Sequence, residues 1–200
     1  PEISKEENIK YTGYILDDKK DENFNMDWYE ELDKDNLIFI YLSVGALQPK
    51  FYIETIVNTF KNSKYNVVCG CGFHFALKYM PEPLPNIKFC NYIPLRNIIE
   101  DTKIVVFHGG QDTMLTTLLY GVPSITFPGK HFEREYNAEK IDALKLSQKH
   151  DIWSFRPQKL RNIINSIETN QYNERCTNFK ETFFEYRGTE ACADILHDYK

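Results

Sequence analysis

The chain has 200 residues, 42% of them hydrophobic and 14% aromatic, which suits one folded domain with a core, or two small ones, and excludes a disordered chain. A net charge of −5 with scattered basic residues gives no electrostatic case for nucleic acid or an anionic membrane surface. No apolar run approaches the roughly 20 residues that a membrane helix needs, and no signal peptide is visible, so the sequence reads as cytoplasmic.

Residues 1–35 are polar and charged and read as a solvated connector. Within them Ile9–Ile15 is a candidate edge strand and Asp27–Leu32 a candidate helical turn. A domain is expected over 36–200. Asn36–Ser43 (NLIFIYLS) is almost continuously apolar, as a central parallel strand covered on both faces would be. It ends in the small-residue turn Ser43-Val44-Gly45-Ala46. Phe51–Lys61 has helix spacing, with Phe51, Ile53, Ile56, Val57 and Phe60 on one face. Tyr65–Cys71 and Asn86–Tyr92 are the second and third strands, and Leu95–Glu100 is a short helix.

Ile104–Phe107 is the fourth strand and stops at His108-Gly109-Gly110. The glycines permit a tight turn and let a ligand approach bare backbone. Asp112 and Thr113 are good N-cap residues for a helix over Met114–Tyr120. Strand, glycine turn and helix N-terminus together offer free N–H groups and partial positive charge to an anion. The alternative is an ordinary strand-to-helix turn with a structural histidine. Ser124–Phe127 is the fifth strand. Arg134–Leu146 is an amphipathic helix whose apolar face is Tyr136, Ala138, Ile141, Leu144 and Leu146. Ser147–Asp151 is a weak sixth strand. Pro157–Thr169, Glu174–Tyr186 and Glu190–Tyr199 are helical, the last two separated by Gly188.

Strands alternating with helices argue for an α/β fold: a single Rossmann-like domain with a doubly wound parallel sheet of about six strands, ordered 3-2-1-4-5-6. That order sets strands 1 and 4 side by side, with the Ser43–Ala46 and His108–Gly110 turns at the switch point where such sheets bind ligands. The sequence G-x-G-x-x-G does not follow the first strand, which disfavours an ordinary dinucleotide-binding domain.

The five cysteines, Cys69, Cys71, Cys90, Cys176 and Cys192, are odd in number and irregular in spacing, and read as reduced thiols. His131-x-Glu133 is followed by no cysteine pair at zinc spacing. The chain begins at Pro1, which reads as a processed protein or a piece of a longer one.

Tyr92-Ile93-Pro94, His108-Gly109-Gly110 with Thr113, Gly121-Val122-Pro123, and Glu133 before Asn137-Ala138 resemble the carboxyl-terminal, donor-binding domain of the GT-B UDP-glycosyltransferases over roughly residues 9–200. The spacing carries the resemblance: sixteen residues from Tyr92 to His108 and five from His108 to Thr113. The resemblance implies one half of a GT-B fold that binds a UDP-sugar for inverting glycosyl transfer, without a metal. By position it implies that Tyr92 stacks on uracil and the Ile93 backbone reads the base edge. It makes His108 a phosphate contact, with the turn Gly109-Gly110 and Thr113 around the diphosphate, and Glu133 a contact to sugar hydroxyls. The Ser43–Gly45 turn resembles the loop facing the donor across the first strand.

The sequence departs from the family at three positions. Thr116 stands where many members have a glutamate for the ribose hydroxyls, Arg134 where many have a glutamine, and Asp112 precedes Thr113, where a carboxylate facing a diphosphate would repel it. No catalytic residue is expected in this chain, because the family's general base and acceptor pocket belong mostly to the amino-terminal domain. That domain is therefore an expected partner, in the same gene or as a subunit. A sugar-nucleotide epimerase of GT-B fold and a non-catalytic α/β interaction module remain alternatives.

Overall fold

The computed structural model describes residues 10, 12–17, 19–42, 47–72, 79–186 and 188–198. The Ser43–Ala46 turn, with the candidate residues Ser43 and Gly45, lies outside the described residues.

Six parallel strands form one sheet in the order β3-β2-β1-β4-β5-β6 among the described residues. They are β1 (Leu37–Tyr41), β2 (Asn66–Gly70), β3 (Ile87–Cys90), β4 (Thr102–Phe107), β5 (Ser124–Thr126) and β6 (Ser147–Lys149). This is the expected doubly wound order, with β1 and β4 paired at the centre from Leu37 beside Thr102 to Tyr41 beside Phe107. The helices are α1 (Asp27–Glu30), α2 (Pro49–Phe60), α3 (Leu95–Ile98), α4 (Gln111–Tyr120), α5 (Phe132–Ala143), α6 (Pro157–Thr169), α7 (Tyr172–Phe184) and α8 (Gly188–Asp198), with a 3-10 turn at Ile152–Ser154. No helix among the described residues is long and apolar enough to cross a membrane.

The continuous apolar runs follow from covering both faces of a parallel sheet. Successive side chains of a strand point to opposite sides. Ile38 and Ile40 of β1 and Ile104 and Val106 of β4 therefore face α2 and α6, meeting Ile53, Ile56, Phe60, Leu160 and Ile164. Leu37, Phe39, Val105 and Phe107 face the other layer, with Tyr29, Ile93, Ile98, Ile99 and Ile141. Each such buried side chain contributes about 1.5–3 kcal/mol.

The connector is held to this second layer. Asp21 N–H donates to Asn97 Oδ1, and Asn97 Nδ2 donates back to the Asp21 carbonyl, both at 2.9 Å. The Tyr29 hydroxyl donates to Asp101 Oδ2 at 2.9 Å, and burial pushes its pKa well up.

Four local expectations change. α4 begins at Gln111 with Gly110 as its N-cap, and neither Asp112 nor Thr113 caps it. The buried face of α5 is Asn137, Ala138 and Ile141, whereas Tyr136 and Leu144 are 49% and 53% exposed. Tyr136 instead stacks on Phe132, one turn away. Phe51 stands off the buried face of α2, which Tyr52 joins in its place. Gly188 is the first residue of α8 rather than a separator. Its N–H donates to the Tyr14 carbonyl at 2.7 Å, and a Cβ there would stand 2.9 Å from the Gly13 backbone.

Candidate functional site

The site lies at the carboxyl ends of β1, β2 and β4. At the end of β4, His108 is partly buried between the turn and the Tyr41 side chain of β1. The rings of His108 and Tyr41 meet edge to face with centroids 5.6 Å apart. His108 Nδ1 is 3.4 Å from the Tyr41 carbonyl. Burial first, and then the Arg134 charge, lower the His108 pKa to about 4, against the pull of the Tyr41 carbonyl and Glu133. The imidazole is therefore neutral at pH 7 and carries one N–H donor.

The two glycines have separate reasons. Gly109 has φ +84, and a Cβ there would lie 2.6 Å from the Arg134 carbonyl oxygen. A side chain would thus meet both backbone strain and the backbone of α5. The buried Asn137 side chain donates from Nδ2 to the Gly109 carbonyl at 3.0 Å and fixes the turn from below. A Cβ on Gly110 would lie 2.9 Å from His108 Nε2, so the missing side chain leaves room for the imidazole over the turn. Gly110 caps α4 without a side chain, and no side-chain cap hydrogen bond is made there among the described residues. The N–H groups of Gln111, Asp112 and Thr113 have no carbonyl of their own helix to bond. The turn thus presents backbone donors and the positive end of a helix dipole.

Beside it is a cleft of about 130 Å³ lined by Phe39, Tyr41, Gly70, Tyr92, Ile93, Pro94, Leu95, Arg96, Asp112 and Thr113. Tyr92 is 52% exposed and is buttressed by Phe24 of the connector, with ring centroids 6.0 Å apart at 78°. Ile93 is buried. Tyr41 belongs to this cleft and also touches His108, so it links the base-side wall to the glycine turn. Gly70 makes that placement possible: it pairs with Tyr41 across β1 and β2, and a Cβ there would stand 2.9 Å from the Tyr41 ring.

The structure gathers Tyr92, Ile93 and Thr113 around the cleft. Gly109, Gly110, Glu133 and Arg134 surround His108, with Glu133 exposed in the first turn of α5. Thr116 does not join them. It is fully buried, and its hydroxyl donates to the Asp112 carbonyl at 2.8 Å within α4. It offers no surface to a ligand, which removes the ribose role that its position suggests. Asp112 turns aside from the helix axis: Arg96 Nη2 donates to its Oδ1 at 2.6 Å. Sequence reasoning missed Arg96, Tyr41, Phe24 and the role of Asn137. Only Asn137 had a local signal, as a polar residue on the buried stripe of α5.

A parallel sheet in this order with a cleft at the β1/β4 switch point defines a Rossmann-like α/β domain. A family model described as the erythromycin biosynthesis protein CIII-like, C-terminal domain matches residues 54–184, and the chain belongs to that family. It is similar to the NDP-glycosyltransferase YjiC of Bacillus subtilis, 24% identical over 118 residues, or 58% of this chain and 30% of the relative. The uncharacterized UDP-glucosyltransferase YojK of the same organism is 21% identical over 84% of this chain and 42% of its own length. The chain thus spans less than half of the curated relatives it matches.

Solved structures share the fold. The glycotransferase of kitacinnamycin superposes with a TM-score of 0.74 at 23% identity, over 82% of this chain and 43% of that one. VinC in complex with DTDP gives 0.71 at 18% identity, over 86% and 43%. UDP-glucose:anthocyanidin 3-O-glucosyltransferase in complex with UDP gives 0.68 at 14% identity, over 84% and 40%.

Proposed function

We propose that this chain is the donor-binding half of a glycosyltransferase and holds a UDP-sugar at the His108-Gly109-Gly110 turn. The observation that carries the reading is the α4 N-terminus, uncapped by any side chain among the described residues, opening beside a cleft with a half-exposed aromatic wall. The base stacks on Tyr92 with its edge toward the Ile93 backbone. The diphosphate lies over Gly109, Gly110 and Thr113, where backbone N–H groups and, in its Nε2–H tautomer, neutral His108 donate to it. Glu133 and Arg134, at the start of α5, face the sugar. Complexes of two fold neighbours support a nucleoside-diphosphate site here, since VinC was solved with DTDP, and the UDP in the anthocyanidin enzyme favours a uridine nucleotide.

The chemistry follows from the residue types. In inverting transfer an acceptor oxygen forms a bond to the anomeric carbon while the bond from that carbon to the β-phosphate oxygen breaks. Negative charge grows on the departing diphosphate. Fixed backbone donors and a helix dipole stabilise that charge without a metal ion. The base that takes the acceptor's proton belongs to the amino-terminal GT-B half, the proposed partner in the same protein or as a subunit. Similarity to glycosyltransferases favours transfer over the epimerase and interaction-module readings.

Isothermal titration of the 200-residue chain with UDP and with uridine tests this. UDP binds and uridine binds at least tenfold more weakly, with EDTA changing neither. Absence of UDP binding up to millimolar concentration by a folded chain would sink the reading.

A further inference from the structure

Resting on the reading of this cleft as a nucleoside-diphosphate site, we propose that Asp112 accepts a hydrogen bond from the 2′-hydroxyl of the ribose. Arg96 positions it, and the pair makes the site selective for ribonucleotides over 2′-deoxyribonucleotides.

The argument begins with order along the ligand. In a nucleoside 5′-diphosphate the ribose lies between base and phosphates. In the cleft, the wall for the base is Tyr92–Leu95 and the wall for the phosphates ends at Thr113. The Arg96–Asp112 ion pair joins those walls, one partner from α3 and the other from the first turn of α4. A ligand that touches both walls therefore passes the pair with its sugar.

The chemistry of the pair fits a hydroxyl. Arg96 engages Oδ1 of Asp112 at 2.6 Å, and the Asp112 side chain is 69% exposed. Oδ2 keeps acceptor capacity for a hydroxyl donor, in a charge-assisted bond stronger than a neutral one. The guanidinium also offsets the repulsion that a carboxylate at a helix N-terminus would exert on a diphosphate. Arg96 is well placed to hold this geometry, because its side chain is only 17% exposed and its planar fork is pre-organised. Thr116, one turn further along α4, is fully buried and has no access to the ligand.

A site built to hydrogen-bond a hydroxyl discriminates against the analogue lacking it more strongly than an apolar pocket can. Exposure of Asp112 to water moderates the factor here. Calorimetric titration of the wild-type chain with UDP and with 2′-deoxy-UDP provides the test. UDP should bind about tenfold more tightly. In Asp112→Ala the ratio should fall to about one, through weaker UDP binding with the 2′-deoxy-UDP affinity changed less than threefold. Arg96→Met should lower the ratio in the same direction, a readout that a purely structural arginine would not move. Asp112→Leu, which keeps the approximate volume and removes every acceptor, serves if the alanine variant fails to fold. Equal wild-type affinities, or a preference that survives removal of the carboxylate, would overturn the ribose assignment while leaving the nucleotide site intact. Failure of both nucleotides to bind would overturn the nucleotide site itself.

Discussion

The turn after β4 and the turn after β5 both leave their strand through a glycine of positive φ, +84 at Gly109 and +67 at Gly129, and both lead into a helix. Their surroundings differ. Gly109 is pressed against the α5 backbone, and its carbonyl is bonded by Asn137. Gly129 has nothing within 4 Å of where a Cβ would be. The first turn is held by Tyr41 beside His108 and by α5 against Gly109, whereas the glycine of the second has open space where a side chain would begin. Ligand-binding backbone gains from being fixed beforehand, because no ordering cost then falls on the ligand. The contrast marks the β4–α4 turn as the pre-organised one.

Replacing each glycine by alanine breaks the comparison most sharply. Gly109→Ala meets a left-handed backbone and a backbone collision together, and should cost about 3 kcal/mol or more of stability. Gly129→Ala meets only the conformational penalty, about 1 kcal/mol. Urea unfolding of the two variants measures the gap, and equal losses would mean that the packing around Gly109 is not restrictive. Asn137→Ala comes next. It leaves the Gly109 carbonyl without its buried donor and should cost about 1–3 kcal/mol, with UDP affinity falling because the turn loosens.

His108 gives a pH-dependent form of the same contrast. Its folded pKa of about 4 lies below the ordinary imidazole value of 6.5. Between these values the unfolded chain binds a proton that the folded chain does not, so its stability contribution is complete above about pH 6.5 and is lost as pH falls toward 4. Going from pH 7 to pH 4.5, His108 should cost the wild type about 2 kcal/mol. His108→Gln should remove that part of the acid sensitivity. Denaturant titrations of both proteins at the two pH values give the difference, and an unchanged acid loss in the variant would contradict the burial of a neutral imidazole.

The sheet was legible because the apolar runs obey simple rules. Asn36–Ser43 and Ile104–Phe107 are covered on both faces, and that requirement writes itself into composition. The start of α4 was misread because its true cap, Gly110, has no side chain to announce it, while Asp112 and Thr113 both look like caps. What draws Asp112 away is Arg96, sixteen residues upstream, which no local rule detects. Tyr41 and Gly70 were opaque for the same reason, since their fit depends on strand register. In α5, periodicity favoured Tyr136 and Leu144 for the core. The real stripe includes Asn137, whose burial only makes sense once the Gly109 carbonyl is beside it. Motif spacing brought His108, Gly110, Thr113, Tyr92 and Glu133 to notice, whereas burial removed Thr116 from that group.

The most direct test of the site is UDP affinity in His108→Ala beside wild type, with the melting temperature of each recorded. His108 lies over the turn, and its hydrogen-bond contact among the described residues is a long one, 3.4 Å to the Tyr41 carbonyl. Affinity should fall about tenfold, equivalent to ~1.4 kcal/mol, while the melting temperature moves by only a few degrees. Unchanged UDP affinity, or a collapse of stability in place of the affinity loss, would contradict a diphosphate held by this turn and make His108 a structural residue.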